Sequence, residues 1–139
     1  MGIDCRVEFD WLPKREAVLA LWVQVLLAFV RNGVLPSVMY RTANSKKAAL
    51  QQPISLRDEK QVRSFVTEAL NDKAWLDGIV VEGLWHEEEG GGVIRFSLFD
   101  FRRVNQLTLK TERASDAELR AALVDVQAQT LIDFNVVNF

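Results

Sequence analysis

The chain has 139 residues, and a domain of that length buries about two-thirds of the surface its unfolded chain exposes, enough for a true core. Its 49% hydrophobic and 26% charged content exclude disordered and collagen-like classes, while 17 Lys plus Arg against 19 Asp plus Glu leave a net charge of −2 and no global field for drawing in nucleic acid. One cysteine and one histidine exclude an internal disulfide and a zinc site of the usual Cys/His type.

Ile3, Cys5, Val7 and Phe9 alternate with Asp4, Arg6, Glu8 and Asp10, the period-two pattern of a strand with one buried and one wet face. Cys5 falls on the apolar side and reads as a small core residue. Pro13 and Glu16 suit a helix start, and Asn32-Gly33 offers a left-handed stop, so a helix is expected from Lys14 to Arg31. Leu19, Trp22, Val23, Leu26 and Val30 cover one side of it, and Val18, Leu21, Val25 and Phe29 continue around the cylinder. Only Ala17, Ala20, Gln24 and Ala28 make a milder strip. Such a helix is sandwiched inside the fold or covered by another chain. Its apolar run from Ala17 to Val30 has fourteen residues, short of the about 20 that span a bilayer. The acidic residues before it and FVRNG after it also do not fit a secretory signal. No membrane role and a cytoplasmic location are therefore expected.

Ser37–Thr42 reads as a short strand, followed by a polar connection from Ala43 to Pro53. Ser55 with Asp58 offers a cap, and Val62, Phe65, Val66, Ala69 and Leu70 recur at helical spacing, so a second helix is expected from Leu56 to Leu70. Ile79–His86, Val93–Phe101 and Val104–Thr111 read as consecutive strands of a meander. Ser115 and Glu118 form a capping box ahead of Leu119, Ala122, Leu123, Val126 and Leu131, placing a third helix from Asp116 to Asp133. The tail Phe134–Phe139 either extends this helix or pairs at a sheet edge. The expected fold is a single α+β domain over residues 1–139. Three helices pack with a mainly antiparallel sheet of about five strands, in the order β-α-β-α-β-β-β-α.

The stretch Trp85-His86-Glu87-Glu88-Glu89-Gly90-Gly91-Gly92 raises the question of chemistry. A two-residue loop at Gly90-Gly91 puts Trp85 opposite Phe96, a favourable aromatic pair, and His86 opposite Arg95, a poor neighbour for a metal cation. The glycines open no helix and follow three carboxylates, which disfavours a phosphate loop. The stretch therefore reads as a turn, with no metal and no cofactor. Asp4, Glu8 and Asp10 share a strand side without burial that prepares them for acid-base work. Arg102-Arg103 and Lys46-Lys47 lack the interleaved aromatics of RNA-binding modules. No nucleophile arrangement stands out, which leans against an enzyme.

What remains is surplus apolarity. Val80, Leu84, Phe99 and Phe101 fall on the meander face opposite Trp85 and Phe96, and the first helix is apolar nearly all round. The expected function is stoichiometric protein binding through these four residues and the acidic Glu87, Glu88 and Glu89, which steer toward a basic partner or join a homo-oligomer. Its most concrete form is a small bacterial immunity or inhibitor protein that neutralises a toxin. The alternative is a small-molecule binder or enzyme with a pocket between the first helix and the sheet, lined by Trp22, Tyr40 or Trp85.

Overall fold

The computed structural model describes residues 2–41, 53–71, 79–85, 92–99 and 104–138; residues 41, 69–71, 79–85, 98, 99, 104 and 138 are described by their backbone alone. The fold is α+β. Its strands are β1 (Ile3–Phe9), β2 (Val38–Arg41), β3 (Pro53–Ser55), β4 (Ile79–Trp85), β5 (Gly92–Phe99), β6 (Val104–Thr111) and β7 (Phe134–Asn138), and its helices are α1 (Arg15–Arg31), α2 (Glu59–Asn71) and α3 (Asp116–Thr130). The strands form one seven-stranded sheet in the order β3-β2-β4-β5-β6-β1-β7, with every neighbouring pair antiparallel. The expected class holds, and the described residues form the three helices expected. The two further strands are β3, three residues and too short for any periodic signal, and β7, the tail that pairs with β1 at the sheet edge.

Strand β1 behaves as its pattern requires, with Ile3, Cys5, Val7 and Phe9 buried. Register carries that face across the sheet: Val7 lies opposite Leu107 and Leu107 opposite Phe96, while Cys5 lies opposite Leu109 and Leu109 opposite Ile94. All of these are buried. The Trp22 ring of α1 stacks on Phe96 with centroids 5.1 Å apart and planes 20° from parallel, which seats α1 on this face. Helix α1 packs against both α2 and α3. Among the described residues all three helices thus lie on one side of the sheet, with α1 in the middle.

That position explains why α1 is apolar nearly all round. Val18, Leu21, Trp22, Val23, Val25, Leu26, Ala28 and Phe29 are buried, and Leu19, Leu27 and Val30 pack partly buried against the core. The wetter strip follows Ala20, Gln24 and Arg31; Ala28, expected there, turns inward. A helix flanked by two others and floored by a sheet needs no second chain to cover it. The expectation that it is sandwiched inside the fold is the one realised.

The helix ends follow local chemistry. After α1, Gly33 at φ 78° donates its N–H to the Val30 carbonyl, and Val34 donates to Phe29, the paired bonds of a Schellman stop. Helix α2 starts at Glu59 and not at Leu56, because Ser55 is drawn into β3, opposite Val38. Asp58 takes over as the cap, its carboxylate accepting the Lys60 N–H at 3.0 Å. Ser115 and Glu118 make both bonds of the capping box on α3. That helix ends at Thr130 and not at Asp133, because Leu131 turns into the left-handed region at φ 60°.

Leu131 is 87% exposed, so little packing offsets a conformation that costs a branched side chain about 1 kcal/mol or more. Leu131→Gly is expected to raise the unfolding free energy by roughly 1 kcal/mol in urea titration. An unchanged or lowered value would show that the leucine is held there by contacts.

Candidate functional site

Among the described residues all three helices lie on one side of the sheet, and the alternate side chains of its strands face the other. That other face is built by alternation. Strand β1 contributes Asp4, Arg6 and Glu8, β6 contributes Gln106, Thr108 and Lys110, β5 contributes Val93, Arg95 and Ser97, and β7 contributes Asn135. Register sets them in rows. Asp4 lies opposite Lys110, which lies opposite Val93; Arg6 lies opposite Thr108, which lies opposite Arg95; Asn135, Glu8, Gln106 and Ser97 form the third row. Asp4, Lys110, Arg95 and Asn135 are exposed, whereas Arg6, Glu8, Thr108 and Val93 are half-buried.

Two features set this face apart from a fully solvated one. Ser97 and Gln106 are only 4% and 8% exposed, although they stand on the face without helices. Arg6 Nε and Gln106 Oε1 are buried without a hydrogen-bond partner. They are one donor and one acceptor on adjoining rows. A buried polar atom left unpaired typically costs about 1–3 kcal/mol, so the two mark a local cost in this arrangement of the face.

Of the seven residues expected to bind a partner, Glu87, Glu88, Glu89 and Phe101 lie outside the described residues, as do His86, Arg102-Arg103 and Lys46-Lys47. For the other three the backbone gives register. Leu84 stands between Val93 and Tyr40, extending the Asp4–Lys110 row; Phe99 lies opposite Val104; Val80 occupies a bulge between Ile79 and Val81. The hairpin register differs from expectation: Trp85 lies opposite Gly92, and Val81 opposite Phe96. Gly92 is the first residue of β5, and the pairing that ends at Trp85 and Gly92 replaces the two-residue loop expected at Gly90-Gly91. The shift of four positions preserves parity from Val81 to Trp85, but the bulge at Val80 breaks it, so Ile79, expected on the Phe96 side with Val81 and Trp85, lies opposite Ser97. The aromatic partner of Phe96 is Trp22, a contact between distant segments that no local spacing announces.

The chemical candidates disperse. Cys5 is buried, and burial, then the charges of Asp4 and Asp116, push its thiol up to about 11. Asp4 and Glu8 remain on the open face, while Asp10 uses its backbone, accepting from Asn105 Nδ2 at 2.9 Å and donating to the Asp133 carbonyl at 3.2 Å. Trp22 is fully buried and does not line an open cleft between α1 and the sheet. A shallow depression of about 550 Å³ lies elsewhere, lined by Gly2, Ile3, Asp4, Asp116 and Arg120, and there Arg120 is already paired with Asp116 at 3.2 Å. Among the described residues no group of three or more His, Cys, Asp or Glu could hold a metal ion, and no helix is long and apolar enough to cross a membrane. No family model, curated protein or solved structure matches this chain.

A thiol held protonated in the fold but free to ionise near its ordinary value once unfolded destabilises the native state as pH rises from about 9 to 11. Cys5→Ala is expected to be less stable than the parent at pH 7.5 because it leaves a void, with that gap narrowing at pH 10. Urea titrations at the two pH values measure it, and a gap of constant size would refute a raised thiol.

Proposed function

We propose that the protein is an interaction module that acts by stoichiometric binding of a protein partner, and that the helix-free face of the sheet is the surface it uses. The observation that carries this reading is the pair of unpartnered buried polar atoms on that face, Arg6 Nε and Gln106 Oε1, set among the exposed charges of Asp4, Arg95 and Lys110. Interfaces gain specificity from such fixed, alternating charges and from groups that are already desolvated. The rows continue onto the register positions of Leu84 and Phe99, which with Val80 and Phe101 are the apolar residues the proposal assigns to binding. Glu87, Glu88 and Glu89, which follow β4 in the sequence, are proposed to favour a basic partner. The narrower form of the proposal is an immunity or inhibitor protein that neutralises a toxin. Its one free, buried cysteine fits a reducing compartment such as the cytoplasm.

A second reading has one observation in its favour. The depression between the start of β1 and α3 brings Asp4, Asp116 and Arg120 to one opening, a charge set suited to a small zwitterion. It is weaker because its guanidinium is already in an ion pair on the same helix.

The proposal is tested by recovering the protein from its native host under mild conditions and weighing the intact complex. A single protein partner in fixed ratio is expected, with binding reduced at least tenfold by Arg95→Glu or Lys110→Glu and also weakened by Glu88→Lys. A partner held equally well by all three variants would remove the sheet face from the account. Stabilisation by a metabolite that Arg120→Ala abolishes would favour the second reading.

A further inference from the structure

The sheet has two edges, and they are built differently. At one end β3 has three residues and begins with Pro53, which has no N–H to offer a neighbour. At the other end β7 has five residues, Phe-Asn-Val-Val-Asn, without charge or proline. Edge strands of stable monomers usually carry such protection. We propose that β7 is a self-association edge, along which two copies of this chain pair antiparallel about a two-fold axis at Asn135.

The hydrogen-bond alternation fixes which groups are available. The Asp10 N–H donates to the Asp133 carbonyl, and the same register places Phe9 opposite Phe134, Glu8 opposite Asn135 and Val7 opposite Val136. In an antiparallel ladder bonded and non-bonded pairs alternate. Asp133 and Asn135 therefore turn their peptide groups toward β1, whereas Phe134 and Val136 turn theirs toward the open edge. The bulge at the end of the pairing falls after Val136 and leaves these two in regular positions.

Symmetry then selects the register. A two-fold axis normal to the sheet keeps the helices of both copies on one face, so residues of equal parity must meet. With the axis at Asn135, Phe134 of each copy meets Val136 of the other as a hydrogen-bonded pair, which uses all four outward N–H and C=O groups on each strand. On the helix face this sets an aromatic ring beside a β-branched chain, a favourable combination, and adds cover to two residues that are only partly buried. The two Asn135 side chains face each other on the opposite side, uncharged and able to bond amide to amide. Leu131, 87% exposed, precedes the strand, and Val137, 38% exposed, lies at its far end beyond Val136. The remaining large exposed apolar residue among those described, Val124, lies on the outer side of α3, away from the buried Leu119, Ala122, Leu123 and Val126. This inference uses the edge of the sheet and does not rest on the partner-binding reading of its face.

The test is cysteine crosslinking with the mass in solution. At a non-bonded antiparallel pair the Cα atoms are about 4.5 Å apart, within disulfide reach. Cys5 is buried and does not compete. Asn135→Cys is expected to form a disulfide dimer under mild oxidation, while Val124→Cys stays monomeric on a denaturing gel. Asn135→Lys is expected to weaken the dimer at least tenfold in sedimentation equilibrium with an unchanged circular dichroism spectrum. The proposal is overturned by a parent protein that remains monomeric at about 100 μM, by an Asn135→Lys dimer of undiminished affinity, or by crosslinking through position 124 in place of 135.

Discussion

The fold depends on enclosing one helix. Helix α1 carries Val18, Leu21, Trp22, Val23, Val25, Leu26, Ala28 and Phe29 at or below 1% exposure, a spread of apolar positions too wide for a helix resting on a sheet alone. Burying such a cylinder takes a floor and two walls. The sheet supplies the floor, with Phe96 under Trp22, and α2 and α3 supply the walls. Charged contacts fasten the outer end: Arg31 reaches Asp125 at 3.2 Å, and Asn32 donates both to Asp125 and to the Ala28 carbonyl. Such exposed ion pairs contribute little on their own and chiefly set alignment.

Enclosing α1 determines what is left over. Among the described residues the three helices lie on one face, and the alternation in β1, β5 and β6 sets polar and charged side chains on the other. The polar side chains there come from the same pleat that buries Val7, Leu107 and Phe96 on the reverse side, so the core register fixes where they stand. The same arrangement assigns the last strand to an outer position beside β1. The two surfaces proposed for binding thus follow from the core: a charged face and an uncharged edge, each defined by what the central helix requires.

Much of this was legible in the residues. The alternation of Ile3 to Phe9 has one interpretation, and Asn32-Gly33 and the Ser115–Glu118 box terminate and start helices by bonds that need only their near neighbours. Legibility failed where the decision was tertiary. Ser55 and Asp58 are both good caps, and pairing with Val38 decides between them. The stop at Leu131 has no glycine or asparagine to announce it. The tail Phe134–Asn138 has no helical or strand period strong enough to choose, and the free side of β1 chooses for it. The β4–β5 register depended on loop length, which glycine content does not give. The all-round apolarity of α1 showed that cover was needed, but whether it came from this chain or another was set by contacts between α1 and helices far away in sequence. The candidate surface was the least legible part, because alternating charges on a strand look alike whether water or a partner meets them.

Amide hydrogen exchange tests the central claim most directly, measured on the Asn135→Lys variant so that edge pairing does not contribute. If α1 is enclosed by its own chain, the amides of Leu21 to Phe29 will exchange only through global unfolding, with protection unaltered by dilution of the protein. Exchange of these amides through local opening, or protection that falls as the protein is diluted, would mean that the cover of α1 comes from elsewhere.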